Sequence, residues 1–220
     1  MMGVTCPEKY GGSELGYLEH CIIVEEITRA SASVGTSYAV HSNVCLNQIV
    51  INGTEEQKQK YLPTLCSGES IGALAMSEVG SGSDVMSMKT TATKADDGWV
   101  LNGSKMWITN GPIADVMIVY ARSNPNDRNK GITAFIVECN SEGFSASPKL
   151  DKLGIRGSPT SEIVFDNVFV PDENVLGKVD YGAYVLMSGL NYERLIGGAG
   201  CVGAMQACLD EVLPYAAERK

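Results

Sequence analysis

The chain has 220 residues, of which 44% are hydrophobic and 20% are charged, and its formal net charge is −9 at pH 7. This length and composition are typical of a globular protein that buries a sizeable core. The negative charge argues against non-specific nucleic-acid binding, which needs a positive surface, and no apolar run is long enough to span a membrane.

The cysteines and histidines predict neither a disulfide framework nor a metal site. The seven cysteines are an odd number and are scattered without C-x-x-C spacing, as is typical of free thiols in a reducing compartment. His20 and His41 have no partner at metal-ligand spacing. Residues 1–7 lack a basic region followed by an apolar one, so no signal or transit segment is predicted.

The first 70 residues predict helices. Apolar side chains recur at helical spacing from Leu15 to Ile27, with charged residues on the other face. A second helix is predicted over about 36–51. Thr54–Gln57 matches a capping box and opens a short helix that runs to about Leu65.

From about residue 71 the chain consists of short apolar or alternating runs separated by turn signals, which predicts β-strands. Seven strands at this spacing favour a barrel or sandwich over a parallel doubly wound sheet. The predicted strands are Ile71–Met76, Thr90–Lys94, Trp99–Asn102, Lys105–Thr109, Val116–Arg122, Thr133–Glu138 and Ser161–Val170.

Helical periodicity returns at about 181 and continues to Lys220, although Gly197, Gly198 and Gly200 interrupt it. The chain opens on a turn-like run and stops inside a helical pattern, so we interpret it as a fragment. The predicted fold is α+β, with a partial N-terminal α-helical domain at 1–70, a central β-barrel-like domain at 71–178 and the start of a C-terminal helical bundle at 179–220.

Two polar segments suit a ligand that carries both a phosphate and a planar ring. The run Gly80–Asp84 is not a dinucleotide fingerprint, because Val85 stands where the third glycine would fall. Its backbone N–H groups can bind a phosphate or a ring edge, although such a run is also typical of a plain turn. Trp107 can lie against a planar ligand, with the Thr109 hydroxyl on the same face by strand periodicity; the alternative is a core tryptophan.

Glu193 is the candidate acid–base residue. On a helix it shares a face with Leu190, Ile196 and Gly197, and a carboxylate on such an apolar face is costly unless it is paired or functional. Burial there would raise its pKa toward that of a working base. The alternative is a solvated glutamate, or one paired with Arg194 or Lys220.

Four stretches, in this order, resemble the acyl-CoA dehydrogenase family, and the resemblance covers nearly all of the chain. Residues 185–194 most resemble the isovaleryl-CoA branch, which carries its catalytic glutamate at the position of Glu193. The four stretches are Ala-Met-Ser-Glu-x-Gly-Ser-Gly-Ser-Asp at 75–84, Asn-Gly-Ser-Lys-Met-Trp-Ile-Thr-Asn-Gly at 102–111, Leu-Gly-Ile-Arg-Gly-Ser at 153–158 and Phe-Asp-Asn-Val-Phe-Val-Pro at 165–171.

The resemblance implies a flavoprotein oxidoreductase in which a glutamate removes the α-proton of an acyl-CoA while hydride passes to FAD. In the isovaleryl branch this reaction converts isovaleryl-CoA to 3-methylcrotonyl-CoA, a step of leucine catabolism. The resemblance also implies electron transfer flavoprotein as the electron acceptor, a homotetramer and a mitochondrial matrix location.

Carried over position by position, the resemblance assigns three sets of site residues. Glu193 matches the catalytic base. The flavin-contacting set is Leu74, Ala75, Met76, Ser77, Glu78, Val79, Gly80, Ser81, Gly82, Ser83, Trp107, Ile108 and Thr109. The acyl-CoA-contacting set is Ser83, Tyr120, Ala121, Tyr184, Asn191, Tyr192, Glu193 and Arg194.

Four positions depart from the family pattern. Val79 replaces a proline common in that loop, and Asn191 stands where the branch usually has Asp. Thr36 and Val40 stand where the branch typically has Leu and Ala, which leaves the acyl-chain preference open. The remaining alternatives are a dehydrogenase for another short acyl-CoA, a truncated chain without activity, and a non-catalytic binding domain.

Overall fold

The computed structural model describes residues 2–127 and 131–219. It confirms the α+β prediction: helices come first, a sheet follows, and one long helix, α5 (Gly182–Glu218), ends the described chain. No helix in this part of the chain is both long enough and apolar enough to cross a membrane. The first helices are α1 (Tyr17–Ala30), α2 (Ala32–Ala39), α3 (Asn47–Asn52) and α4 (Glu55–Ser67), and a π-helical segment, Val40–Leu46, joins α2 to α3.

Local capping signals determine where two of these helices begin. Ser31 separates α1 from α2, since its Oγ accepts a backbone N–H of α2. The predicted capping box of α4 is present: Gln57 N–H donates to Thr54 Oγ1 at 3.2 Å, and Thr54 N–H donates to Gln57 Oε1 at 3.0 Å. Gln57 Nε2 also donates to the carbonyl oxygens of Glu173 and Val175, which ties α4 to the end of the sheet domain.

The prediction of one continuous α-helix over about 36–51 is wrong. This stretch is divided into α2, the π-helical segment and α3. A π-helical turn holds more residues than an α-helical one, so a search at the 3.6-residue period does not detect it. The division lies beside the candidate site, where functional π-helical turns are frequent.

The sheet has eight strands in the order β6-β7-β3-β2-β4-β5-β8, with β1 paired in parallel to β4. Most neighbours are antiparallel, although β2 also meets β4 in parallel. The strands are β1 (Gly72–Ala75), β2 (Thr91–Lys94), β3 (Gly98–Thr109), β4 (Val116–Arg122), β5 (Ile132–Glu138), β6 (Phe144–Ala146), β7 (Thr160–Pro171) and β8 (Val175–Leu176).

The prediction of two strands, Trp99–Asn102 and Lys105–Thr109, is wrong in its division, because both stretches lie within β3. Gly103 has φ 139° and stands at a register shift between β3 and β7. A Cβ there would lie 2.8 Å from Thr90 Cα, so glycine permits an irregularity within one strand rather than a turn between two. β6 and β8, with three and two residues, are too short for their alternation to be detected in the sequence.

Two cores lie on opposite faces of the sheet. On β4, Ile118 and Tyr120 belong to the core that also contains Leu62 of α4. Val119, between them, belongs to the second core with Phe135. Both faces of β4 are therefore buried, which explains its uninterrupted apolar sequence.

The long helix α5 crosses α1 at small residues. A Cβ on Gly203 would lie 2.1 Å from the carbonyl oxygen of Glu25, so no larger residue fits there without separating the two helices. A Cβ on Gly200 would lie 3.4 Å from Thr28 Oγ1. Glycine at the crossing accordingly weakens the helical pattern in the sequence but permits close packing in the fold.

Candidate active site

The two glycine-rich segments are neighbours in the structure. β1 ends at Ala75 and runs directly into the first segment, and β3 contains the second. The N–H of Met106 donates to the carbonyl oxygen of Ser77 at 2.9 Å, which joins them. The fold therefore brings together the two parts of the predicted flavin-contacting set, while Leu74 and Ala75 themselves are buried.

The loop after β1 is a tight turn with an open outer edge. Glu78 and Ser81 exchange backbone hydrogen bonds of 2.9 and 3.1 Å, and Ser81 Oγ donates to the carbonyl oxygen of Asp84 at 2.6 Å. A Cβ on Gly80 or Gly82 would meet no described atom within 4 Å. The turn is thus held from within and leaves its glycines free to approach a ligand.

A buried ion pair supports this loop from below. Lys105 Nζ lies 2.9 Å from Glu78 Oε1, and the two side chains are 0% and 9% exposed. Lys105 Nζ also donates to the Met76 carbonyl oxygen at 3.0 Å, and the Glu78 carboxylate accepts the backbone N–H groups of Lys89 and Thr90 at 2.6 and 2.9 Å. The Glu78 side chain thus organises the loop internally.

Burial and pairing act in opposite directions on these two groups. Burial lowers the pKa of Lys105 to about 8, although the Glu78 charge opposes the change. Burial by itself would raise the pKa of Glu78, but the Lys105 charge and the two backbone donors hold it below its ordinary value. Lys105 is absent from the predicted site residues, because a lysine at the start of a predicted strand is ordinarily exposed.

Trp107 is not a core residue, so that alternative is wrong. Its side chain is 63% exposed, and its φ of 66° is unusual for a bulky residue. The register between β3 and β7 shifts between Lys105 and Ile108, and Ile108 is buried whereas Thr109 is partly exposed. The burial of these three residues follows the alternation from which a shared face for Trp107 and Thr109 was predicted, and the indole lies on the outer side, next to the open loop.

Glu193 lies on the wall of an almost entirely apolar cavity of about 320 Å³ between α1, α2, the π-helical segment and α5. Thr36 and Val40, the departures noted in the sequence, line the same cavity. Burial raises the pKa of Glu193 to about 7, although the Gln48 amide and the Arg194 charge favour the ionised form. Its Oε1 is buried and has no hydrogen-bond partner among the described residues.

The predicted acyl-CoA-contacting residues do not form one cluster. Tyr120 is fully buried in the core that also contains Leu62 of α4. Burial raises the pKa of its hydroxyl most, and the Glu193 charge raises it further. The two groups therefore lie near each other. Ala121 is buried in the opposite core and presents no exposed side chain. The ring of Tyr192 stacks on that of Tyr17, with centroids 4.2 Å apart.

The remaining members of that set are exposed. Ser83 lies on the open loop, and Tyr184 stands near the start of α5. Asn191 and Arg194 lie on an exposed face of α5, where Arg194 Nη1 donates to Asn191 Oδ1 at 3.4 Å. Their contact with an acyl-CoA stays a prediction.

The raised pKa of Glu193 makes stability depend on pH. The folded-state value of about 7 exceeds the ordinary 4.5, so the folded chain binds this proton more tightly than the unfolded chain. The contribution of this proton to the free energy of unfolding is fully present below pH 4.5. It is lost as pH rises through 7, and the free energy of unfolding then falls by up to about 3 kcal/mol. We expect Glu193→Gln, which cannot ionise, to unfold at higher urea than wild type at pH 9, with the difference shrinking toward pH 4.

A matched control for this measurement is Glu211→Gln, an exposed position on the same helix. The Glu211 variant is expected to follow the wild-type curve at both pH values. A stability difference for Glu193→Gln that is equal at pH 4 and pH 9 would contradict the assigned ionisation.

Three family models match the chain in succession. They describe the acyl-CoA dehydrogenase N-terminal domain at residues 1–69, the middle domain at 73–168 and the C-terminal domain at 180–220. Together they account for almost the whole sequence in the order in which the helices, the sheet and the last helix occur.

Individual proteins give the same result. The mitochondrial isovaleryl-CoA dehydrogenase of Solanum tuberosum is 62% identical over 220 residues, covering 100% of this chain and 53% of that protein. The mitochondrial 2-methylacyl-CoA dehydrogenase of the same plant is 62% identical over 218 residues, covering 99% and 53%. A solved structure of PigA with FAD and proline superposes with a TM-score of 0.95 at 32% identity, covering 100% of this chain and 58% of that one.

The chain spans about half the length of the relatives it matches. The matched family models, the identity to these relatives and the common fold agree with one another. The chain belongs to the acyl-CoA dehydrogenase family.

Proposed function

We propose that this chain forms part of an FAD-dependent dehydrogenase that oxidises the α,β bond of a short branched-chain acyl-CoA, with Glu193 as the base. The observation that carries the proposal is a single carboxylate on the wall of an apolar cavity, with a pKa raised to about 7. A base with a pKa near the working pH is ionised often enough to act and basic enough to take a proton.

The cavity residues serve binding and proton transfer. The apolar wall from α2 and the π-helical segment takes the acyl chain and excludes water from the carboxylate. The Glu193 carboxylate on the wall of this cavity takes the α-proton. A flavin held by the two glycine-rich segments would supply the acceptor for the hydride that leaves the β-carbon.

The residues of the two glycine-rich segments fit a flavin. An exposed Trp107 next to a turn whose Gly80 and Gly82 border open space offers a flat apolar surface beside accessible backbone. The Lys105–Glu78 pair holds the loop in place without using its outer edge. Of the solved neighbours, PigA carries FAD on the same fold.

For the acyl group, the leading candidate is isovaleryl-CoA, which would be converted to 3-methylcrotonyl-CoA in leucine catabolism. Equal identity to an isovaleryl-CoA and a 2-methylacyl-CoA dehydrogenase favours a short branched chain without choosing between them. Thr36 and Val40 line the cavity, so their side chains contribute to the choice. One methylene changes binding by only about 1–3 kcal/mol, so another short acyl-CoA is the second candidate.

We further propose, from the family resemblance, electron transfer flavoprotein as the acceptor, a homotetramer and a mitochondrial matrix location. Mitochondrial relatives at about this identity support the location. A chain that binds neither FAD nor substrate because it spans only about half of its relatives is the alternative that the next experiment addresses.

The chain contains two tryptophans, and they allow a direct test of the flavin position. Trp107 is 63% exposed and Trp99 is 6% exposed, within the second core. We expect FAD to quench the fluorescence of wild type and Trp99→Phe strongly, and that of Trp107→Phe weakly, because the indole at 107 lies against the ring. Equal quenching of the two variants, or none in wild type, would contradict the proposed flavin site.

A further inference from the structure

Gln48 is a buried amide whose role the sequence did not indicate. It is 1% exposed and lies in α3, beside Gly189 of α5. A Cβ built on Gly189 would lie 1.8 Å from Gln48 Nε2 and 3.0 Å from Glu193 Oε1. Both atoms thus lie beside the same point, and the glycine at 189 leaves room for them.

The amide of Gln48 is held in one orientation. Its Oε1 accepts a hydrogen bond from Asn52 Nδ2 at 2.9 Å. Asn52 Nδ2 also donates to the Gln48 carbonyl oxygen at 3.3 Å and to Ser188 Oγ at 3.2 Å, which ties it to α5. With its oxygen engaged in this way, the NH₂ group of Gln48 lies beside Gly189 of α5.

Neither of the two atoms beside Gly189 makes a full hydrogen bond in the part of the chain that the structure describes. Gln48 Nε2 and Glu193 Oε1 are both buried, and neither has a hydrogen-bond partner among the described residues. One is a donor and the other an acceptor, so a small movement of the flexible glutamate side chain satisfies both. Leaving both unpaired costs more than pairing them.

We propose that Gln48 is a positioning residue for Glu193: its amide N–H holds the ionised carboxylate at the cavity wall, in the orientation that reaches the substrate. This inference rests on the proposed function of Glu193. Asn52 and Ser188 act behind Gln48 by fixing which end of the amide faces the carboxylate.

Few other charged or titratable groups face Glu193. Arg194 on α5 favours its ionised form, and Tyr120 from β4 interacts with it across the core. Cys201 of α5 lines the same cavity, and the lining residues of α1, Val24 and Thr28, carry no charge. Gln48 is accordingly the neutral donor whose removal changes the ionisation of Glu193 without changing any charge.

The test is the titration of the Glu193 carboxyl in the whole chain, followed by ¹³C NMR of glutamate labelled at Cδ, with Glu193→Gln to assign the signal. In Gln48→Met, which keeps the volume but removes the donor, we expect the midpoint to rise by about one pH unit, a tenfold change in the acid constant. In Gln48→Glu, a second carboxylate faces the first, and the midpoint should rise further.

Gln57→Met is the matched control, since Gln57 is also a buried helical amide but bonds the backbone at Glu173 and Val175. It should lower stability and leave the Glu193 midpoint unchanged. If Gln48→Met and Gln48→Glu both titrate as wild type does, the positioning role is overturned; if only Gln48→Met fails to fold, Gln48→Glu decides.

A kinetic measurement separates this inference from the proposed function. The flavin-reduction rate is measured as a function of pH in each Gln48 variant. If Glu193 is the base, the apparent pKa on the acidic side of this pH profile shifts by the same amount as the NMR midpoint. A midpoint that moves while the rate profile does not would support the pairing of Gln48 with Glu193 and overturn Glu193 as the base.

Discussion

Glu193→Gln is expected to slow flavin reduction by an acyl-CoA by about 10²–10⁴-fold, the usual contribution of a general base. Glutamine preserves the volume at the cavity wall but cannot take the α-proton. Because Glu193 lies on α5 and the exposed Trp107 lies on β3, FAD binding should be unchanged. The measurement is the single-turnover rate of flavin reduction, together with α-proton exchange of the acyl-CoA in D₂O.

Glu211→Gln is the control for this prediction too, since it makes the same substitution on an exposed face of the same helix. It should reduce flavin at the wild-type rate. Exchange by Glu193→Gln at close to the wild-type rate would place the base elsewhere.

Lys105→Met is expected to be the most destabilising single substitution among those considered, at about 3–5 kcal/mol. It leaves the Glu78 carboxylate buried without a charged partner, although Lys89 and Thr90 still donate hydrogen bonds to it. It also removes the hydrogen bond that Lys105 Nζ donates to the Met76 carbonyl at the start of the loop. Urea unfolding near neutral pH measures the loss, and FAD titration measures the consequence for the loop.

Two further variants make this prediction specific to burial. The double variant Glu78→Gln/Lys105→Met should be less destabilised than the sum of the single ones, because no unpaired buried charge remains. Lys94→Met removes a partner of Asp172 at 2.8 Å, but both side chains are about half exposed. It should cost only about 0–1 kcal/mol, and a similar cost for Lys105→Met would contradict a buried ion pair.

The parts of the fold that could be predicted depend on local signals. The capping box at Thr54 and Gln57 is a contact between residues three apart, and it is present. Strand β4 has the predicted bounds, Val116–Arg122, because its apolar run is long and bounded by turn signals. Placing Glu193 on an apolar helix face needed only helical periodicity, and the cavity confirms that environment.

What could not be predicted depends on contacts between distant segments. The burial of Lys105 follows from the loop that folds over it 27 residues earlier in the chain. The exposure of Trp107 depends on which face of β3 the rest of the sheet domain covers, and a single strand does not encode that choice. Gln48 meets Glu193 only because α3 packs beside α5, and an isolated glutamine in a helical run carries no such signal.

The predicted acyl-CoA contacts stay a prediction. Resemblance assigns residues by position, whereas burial depends on which face a strand presents. Tyr120 and Ala121 are adjacent in β4, so their side chains belong to opposite cores.

The central claim is that Glu193 and a bound flavin act on one acyl-CoA. Its most direct test is the anaerobic addition of isovaleryl-CoA to the FAD-loaded chain, followed by the absorbance of the oxidised flavin. We predict that the flavin band bleaches in wild type and persists in Glu193→Gln with FAD still bound. A flavin that stays oxidised in wild type, or that bleaches equally in both proteins, would contradict the account.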